Sequence, residues 1–103
     1  MKQGSIVVMH LVEPSEKYWG KLETLSAAGA TVRGINLHSF EDWLREIANE
    51  EPPSLGLATI FFPLRRVERI FLDEPVGMIE SLAQRFEQRA GKAVEDHLAE
   101  LAG

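Results

Sequence analysis

The sequence contains no cysteine. That excludes disulfides, a thiol nucleophile and any thiolate metal site, and it is the usage expected of a chain kept in a reducing cytoplasm. Long apolar runs are also missing. The first one, residues 6–12, is broken by His10 and is not followed by a small-residue cleavage region, so it reads as neither a membrane span nor a signal peptide. Histidine is scarce and scattered: His10, His38 and His97 offer no pair at helical ligand spacing, and a zinc site needs at least three ligands. His97 and Glu100 share a helix face, which reads as a surface pair. Nothing resembles a nucleophile elbow, a GxGxxG turn or a phosphate-binding loop. The acidic pairs Glu41-Asp42 and Glu50-Glu51 fall at a helix start and ahead of Pro52, where solvated carboxylates are common. These absences predict a protein that is not an enzyme and carries no metal or cofactor.

Positive charge is in deficit overall, with a net charge of −5, but the deficit is uneven. Residues 39–53 carry one basic side chain against five acidic ones, and residues 73–103 carry three against seven. Residues 54–72 reverse the balance, with Arg65, Arg66 and Arg69 against Glu68 alone. Nonspecific nucleic-acid binding rests on phosphate neutralisation, so the global charge opposes it while a local basic surface is retained.

What is present is a clear alternation of strand and helix periods in a chain of one-domain length, 103 residues. Ser5–Val12 is β-branched and apolar, and Pro14 stops it. Tyr18–Leu25 alternates, with Gly20 placed where a strand must bend sharply or admit another backbone. Ala30–Leu37 reads as a third strand. The period then changes: Ser39 is a helix cap with Asp42 three residues on, and Phe40, Trp43, Leu44, Ile47 and Ala48 make one apolar stripe that Pro52-Pro53 terminates. Leu57–Phe62 and Val67–Asp73 are two further strands around the bend Pro63-Leu64-Arg65-Arg66. Asp73 or Pro75 is expected to open a last helix, with Met78, Ile79, Leu82, Ala83, Phe86 and Ala90 as its apolar face. Beyond Gly91, Val94, His97, Leu98 and Leu101 continue a similar stripe, as a second short helix or a bent continuation. The reading is a single mainly β domain with helices (α+β): strands 1–3 within residues 4–37, an inserted helix at 39–51, strands 4–5 within 57–73 and a helical segment at 75–102. Three strands joined by short turns must be antiparallel neighbours, and five short, strongly bent strands favour a small closed barrel.

With this order the sequence resembles the Sm/Lsm family, which includes bacterial Hfq, over about residues 4–37 and 58–73. Gly20-Lys21-Leu22 resembles the Gly-x-Leu of the first Sm motif, and Val7, Met9 and Leu11 the alternating apolar residues of the first strand. Residues 62–70, FPLRRVERI, resemble the second motif: strand, tight turn, strand. The motif's Arg-Gly pair falls on Pro63-Leu64, and of the two Hfq base-reading positions only Arg65 keeps a polar group. The resemblance implies a partly open, five-stranded Sm-like barrel that assembles into a homo-oligomeric ring, strand four against strand five of the next copy, with RNA as its ligand.

The candidate nucleic-acid-binding residues are Arg65, Arg66 and Arg69, whose guanidinium forks suit phosphate or a base, together with Tyr18 and Trp19 as stacking rings. The competing expectation pairs these arginines with the acidic helices. Ile60, Phe61, Phe62, Ile70 and Phe71 exceed what one interior face accommodates and are the candidate oligomer interface, the alternative being that the two helices cover them. The alternative function is a protein-interaction module whose acidic amphipathic helices, including Trp43, Leu44 and Ile47, bind a protein partner. No membrane partner is expected.

Overall fold

The structure, a computed structural model, describes the backbone of residues 1–102 and the side chains of residues 1–98. Glu100, the expected partner of His97, and Leu101 therefore lie outside the described side chains. Five strands form one antiparallel sheet: β1 (Ile6–Leu11), β2 (Glu16–Leu25), β3 (Gly29–Asn36), β4 (Ala58–Pro63) and β5 (Val67–Leu72), in the spatial order β4-β3-β2-β1-β5. A 3-10 turn, Leu64–Arg66, joins the last two. Helix α1 (Leu37–Ala48) lies between β3 and β4, and α2 (Leu82–Ala90) and α3 (Val94–Ala102) follow β5.

The sheet is bent but does not close. β4 and β5 are both edges, which corrects the expected closed barrel. The bend has a local cause. Gly20 on β2 faces Gly34 on β3, and a Cβ at Gly20 would stand 2.3 Å from the Arg33 carbonyl oxygen. Only paired glycines let these backbones approach so closely, and a register shift between Leu22 and Thr24 adds to the local twist.

The period-2 alternation sends side chains to two separate cores. On the concave side, Val7, Met9, Leu11, Leu22, Ala30, Val32 and Phe62 are buried, with Tyr18, Ile60, Val67 and Ile70 packed at their margin. On the other face, Val8, Trp19 and Ile35 are covered by Phe40, Trp43 and Leu44 of α1, Phe86 of α2, and Val94 and Leu98 of α3. Trp19 is completely buried there, edge-on to Phe40 at 5.1 Å, and Trp43 stacks on Phe86 at 5.2 Å. Each such aromatic pair adds roughly 0.5–1.5 kcal/mol beyond the area it buries. The apolar stripes of the inserted and C-terminal helices are thus spent on the sheet.

Two helix starts differ from expectation. Helix α1 begins at Leu37, because Asn36 is the cap: its side-chain oxygen accepts from the His38 N–H at 2.8 Å. Ser39 lies inside the helix, and Asp42 pairs with Arg45 at 3.1 Å instead of closing a capping box. The helix expected to open at Asp73 or Pro75 begins at Leu82, with Ser81 and Gln84 forming a reciprocal capping box. Residues 74–80 instead make a turn closed by reciprocal Val76–Ile79 backbone hydrogen bonds of 3.0 Å, with Gly77 at φ +60°. Met78 and Ile79 consequently face solvent.

Asp73 nevertheless serves the helix from a distance. Its carboxylate accepts from the Leu82 and Ala83 N–H groups at 2.8 Å each, and from the Trp19 indole at 3.0 Å. One side chain at the end of β5 therefore fixes both the first turn of α2 and the ring at the centre of the helix-covered core. The fork between Arg85 and Glu41 ties α2 to α1 in a similar way. Glu46, buried in α1, accepts from the Ser54 hydroxyl and from the Ser54 and Leu55 N–H groups, which folds residues 49–57 back onto the helix.

Candidate functional site

The three arginines of the bend have three different fates. Arg66 is structural: its Nε donates to the Val12 carbonyl and a terminal nitrogen to the Pro14 carbonyl and the Glu16 carboxylate, each at 2.9 Å. It locks the β1–β2 turn against the bend, and its side chain is 20% exposed. Arg65 is exposed and makes no hydrogen bond or ion pair among the described residues. Arg69 is exposed on β5, 3.7 Å from Glu68, and its Nε donates to His10 Nδ1 at 3.2 Å. None of the hydrogen bonds or ion pairs described for these arginines goes to a helix. Their carboxylate partners, Glu16 and Glu68, lie on β2 and β5.

The two expected stacking rings are not available as such. Trp19 has no exposed surface, because its alternation phase points it under α1. Tyr18 points to the concave side, half-buried and edge-on to Phe62 at 4.9 Å. The candidate interface residues also divide by phase. Ile60 and Ile70 are half-buried against the concave core and Phe62 is buried within it. Phe61 on β4 and Phe71 on β5 remain 53% and 43% exposed, accompanied by Leu64 and Leu72. The helices thus cover one face of the sheet and leave both edges apolar and open.

The register brings Arg69 together with two residues that carried no site expectation, His10 and Lys17. His10 on β1 lies between Lys17 on β2 and Arg69 on β5 as direct cross-strand partners. Residues opposite one another share a face, so the three form one basic row. Phe71 stands next to it, with its ring edge-on to His10 at 5.1 Å. Partial burial holds the His10 pKa below its ordinary value, and the charges of Arg69 and Lys17 push the same way against a smaller opposing effect of Glu68. The neutral imidazole that accepts from Arg69 at Nδ1 carries its proton on Nε2. Past Lys17 the row runs into a groove of about 480 Å³, lined by Ser15, Glu16, Lys17, Asn36, Leu37 and His38 at the start of α1. The signal for this row lay in the register of the β1–β2 hairpin and in that of the long-range β1–β5 pairing.

Among the described residues, no group of three His, Cys, Asp or Glu side chains is placed to hold a metal ion. No described helix is long and apolar enough to cross a membrane. Comparison with models of protein families, with curated proteins and with solved structures returns no match to this chain.

Proposed function

We propose that the chain is a non-enzymatic, Sm-like module that self-associates edge to edge, β4 of one copy against β5 of the next, and contacts RNA. The observation that carries this reading is the strand order β4-β3-β2-β1-β5, which leaves two open edges of six residues each. Unpaired edges template further pairing unless they are blocked. These edges are flanked by exposed apolar side chains, Phe61 and Leu64 at one and Phe71 and Leu72 at the other. Because the two edges differ, their union is heterologous, and a ring results when the rotation from copy to copy closes. The RNA part is supported by Arg65 and Arg69, exposed in the segment with the largest positive balance, residues 54–72.

The test is the mass in solution by light scattering at micromolar concentration. The chain weighs 11.5 kDa, and a multiple of that is expected. Phe61→Lys places a charge beside the β4 edge and should return the monomer. A wild-type protein that is strictly monomeric would remove the assembly reading. Absence of any binding to oligo-U or oligo-A at low salt would remove the RNA reading.

A further inference from the structure

We infer that the cross-strand row Lys17–His10–Arg69, together with the exposed ring of Phe71, is the surface that holds single-stranded RNA. This rests on the RNA reading above and moves its site from the bend to the outer face of the sheet. Neighbouring strands lie about 4.8 Å apart, so the three side chains span roughly 10 Å across β2, β1 and β5. The helix layer stops short of them. Val8, two residues before His10 on the same face, is buried under the helices, whereas His10 is half-buried and Lys17 and Arg69 are exposed.

The chemistry of the row suits a phosphate chain passing beside a base. Arg69 and Lys17 supply two fixed cations. His10, which accepts from Arg69 at Nδ1, presents its Nε2 proton as a neutral donor. Glu68 lies 3.7 Å from Arg69, and Glu16, which lines the groove with Lys17, is held by Arg66 at 2.9 Å. Phe71, opposite Val8 and so on the outer face, adds an aromatic ring 43% open to solvent in the single chain and within contact of the imidazole, and pairing of the β5 edge with another copy uses backbone groups rather than this ring. Stacking on such a ring tolerates any base and is the usual partner of a basic track in single-strand binding. An acidic peptide would use the cations but leave the ring without a role.

The experiment is fluorescence anisotropy of labelled oligo-U and oligo-A over a salt series, using the full chain. Single strands lose affinity with a log–log salt slope of about 0.7 per phosphate contact, so Lys17→Ala with Arg69→Ala should lower the slope by roughly 1.4. Phe71→Leu keeps the edge apolar but removes the ring, and should weaken binding about tenfold with the slope unchanged. Arg89→Ala, on the exposed face of α2, removes a surface cation away from the row and should change neither quantity. In the wild type, bound phosphates should raise the His10 pKa, read from its imidazole proton shifts with and without oligomer. Salt-dependent binding that survives loss of Lys17 and Arg69 would overturn this site while leaving the RNA reading standing. Competition by polyglutamate as effective as that by unlabelled oligomer would overturn it in favour of an acidic peptide. A wild type that binds neither oligomer would overturn both the site and the RNA reading.

Discussion

Replacing Asp73 with alanine should cost about 3 kcal/mol of folding stability. The carboxylate accepts three hydrogen bonds, from the Trp19 indole and from the Leu82 and Ala83 N–H groups. Trp19 is fully buried, so removing its acceptor strands an N–H in the core at roughly 1–3 kcal/mol. Exposing the first amides of α2 adds about 1 kcal/mol, the usual loss when a helix cap is deleted. Against a total stability of roughly 5–15 kcal/mol, this is a large share. For a domain of this size it corresponds to a fall in Tm of roughly 12–24 °C. Urea unfolding followed by far-UV circular dichroism and tryptophan fluorescence should show a midpoint lowered by about 1–3 M at unchanged slope. Asp73→Asn keeps one acceptor and should recover about half of the loss, while Glu74→Ala, exposed next door, should stay within about 0.5 kcal/mol of wild type. An Asp73→Ala protein as stable as Glu74→Ala would refute the view that this side chain couples the sheet to the C-terminal helices.

Gly20→Ala should be among the most destabilising single changes, losing about 3 kcal/mol or more, because the new methyl meets the Arg33 carbonyl at 2.3 Å and the β2 and β3 backbones must part; thermal unfolding measures it. Arg66→Ala should cost about 2 kcal/mol through its bonds to Val12, Pro14 and Glu16, whereas Arg65→Ala should be silent in the same denaturant assay. Acid should weaken the fold. The Arg85 fork holds the Glu41 carboxyl below its ordinary value of 4.5, and the Ser54 hydroxyl and N–H groups do the same for Glu46. Folded pKa values depressed below the unfolded ones give stability that is complete above about pH 4.5 and is lost as pH falls through the folded values. Glu41→Gln and Glu46→Gln should each flatten the stability profile in that acid range.

The element order and the two faces of the sheet were legible because strand and helix periods are strong in this chain. Val7, Met9 and Leu11 alternate with Ile6, Val8 and His10, and the two sets reach different surroundings. Helix starts were less legible where two caps compete. Asn36 and Ser39 both qualify by residue type, and the tertiary position of α1 against β3 selects the earlier one. The run Val76–Ile79 carries apolar residues at helical spacing, but Gly77 takes a positive φ and the segment closes on itself as a turn. Asp73 could be read as a helix opener. That it would act nine residues away, and on Trp19, depends on contacts 54 residues apart in sequence. The arginines of the bend stood out by composition alone, yet what separates Arg66 from Arg69 is the path of the β1–β2 turn, which brings two carbonyls to one guanidinium and leaves the other beside His10. Lys17 lacks any local signal and becomes a candidate only through register.

Since the chain lacks cysteine, edge pairing between copies can be tested directly by cross-linking. One variant carries Thr59→Cys or Phe61→Cys in β4, and its partner carries Arg69→Cys or Phe71→Cys in β5. A disulfide forms only when the Cα atoms come within about 7 Å. Heterologous assembly predicts disulfide-linked dimers when a β4 variant is mixed with a β5 variant under mild oxidation, and none when either is oxidised alone. Cross-links between like variants, or none in the mixture, would contradict the β4-to-β5 assembly.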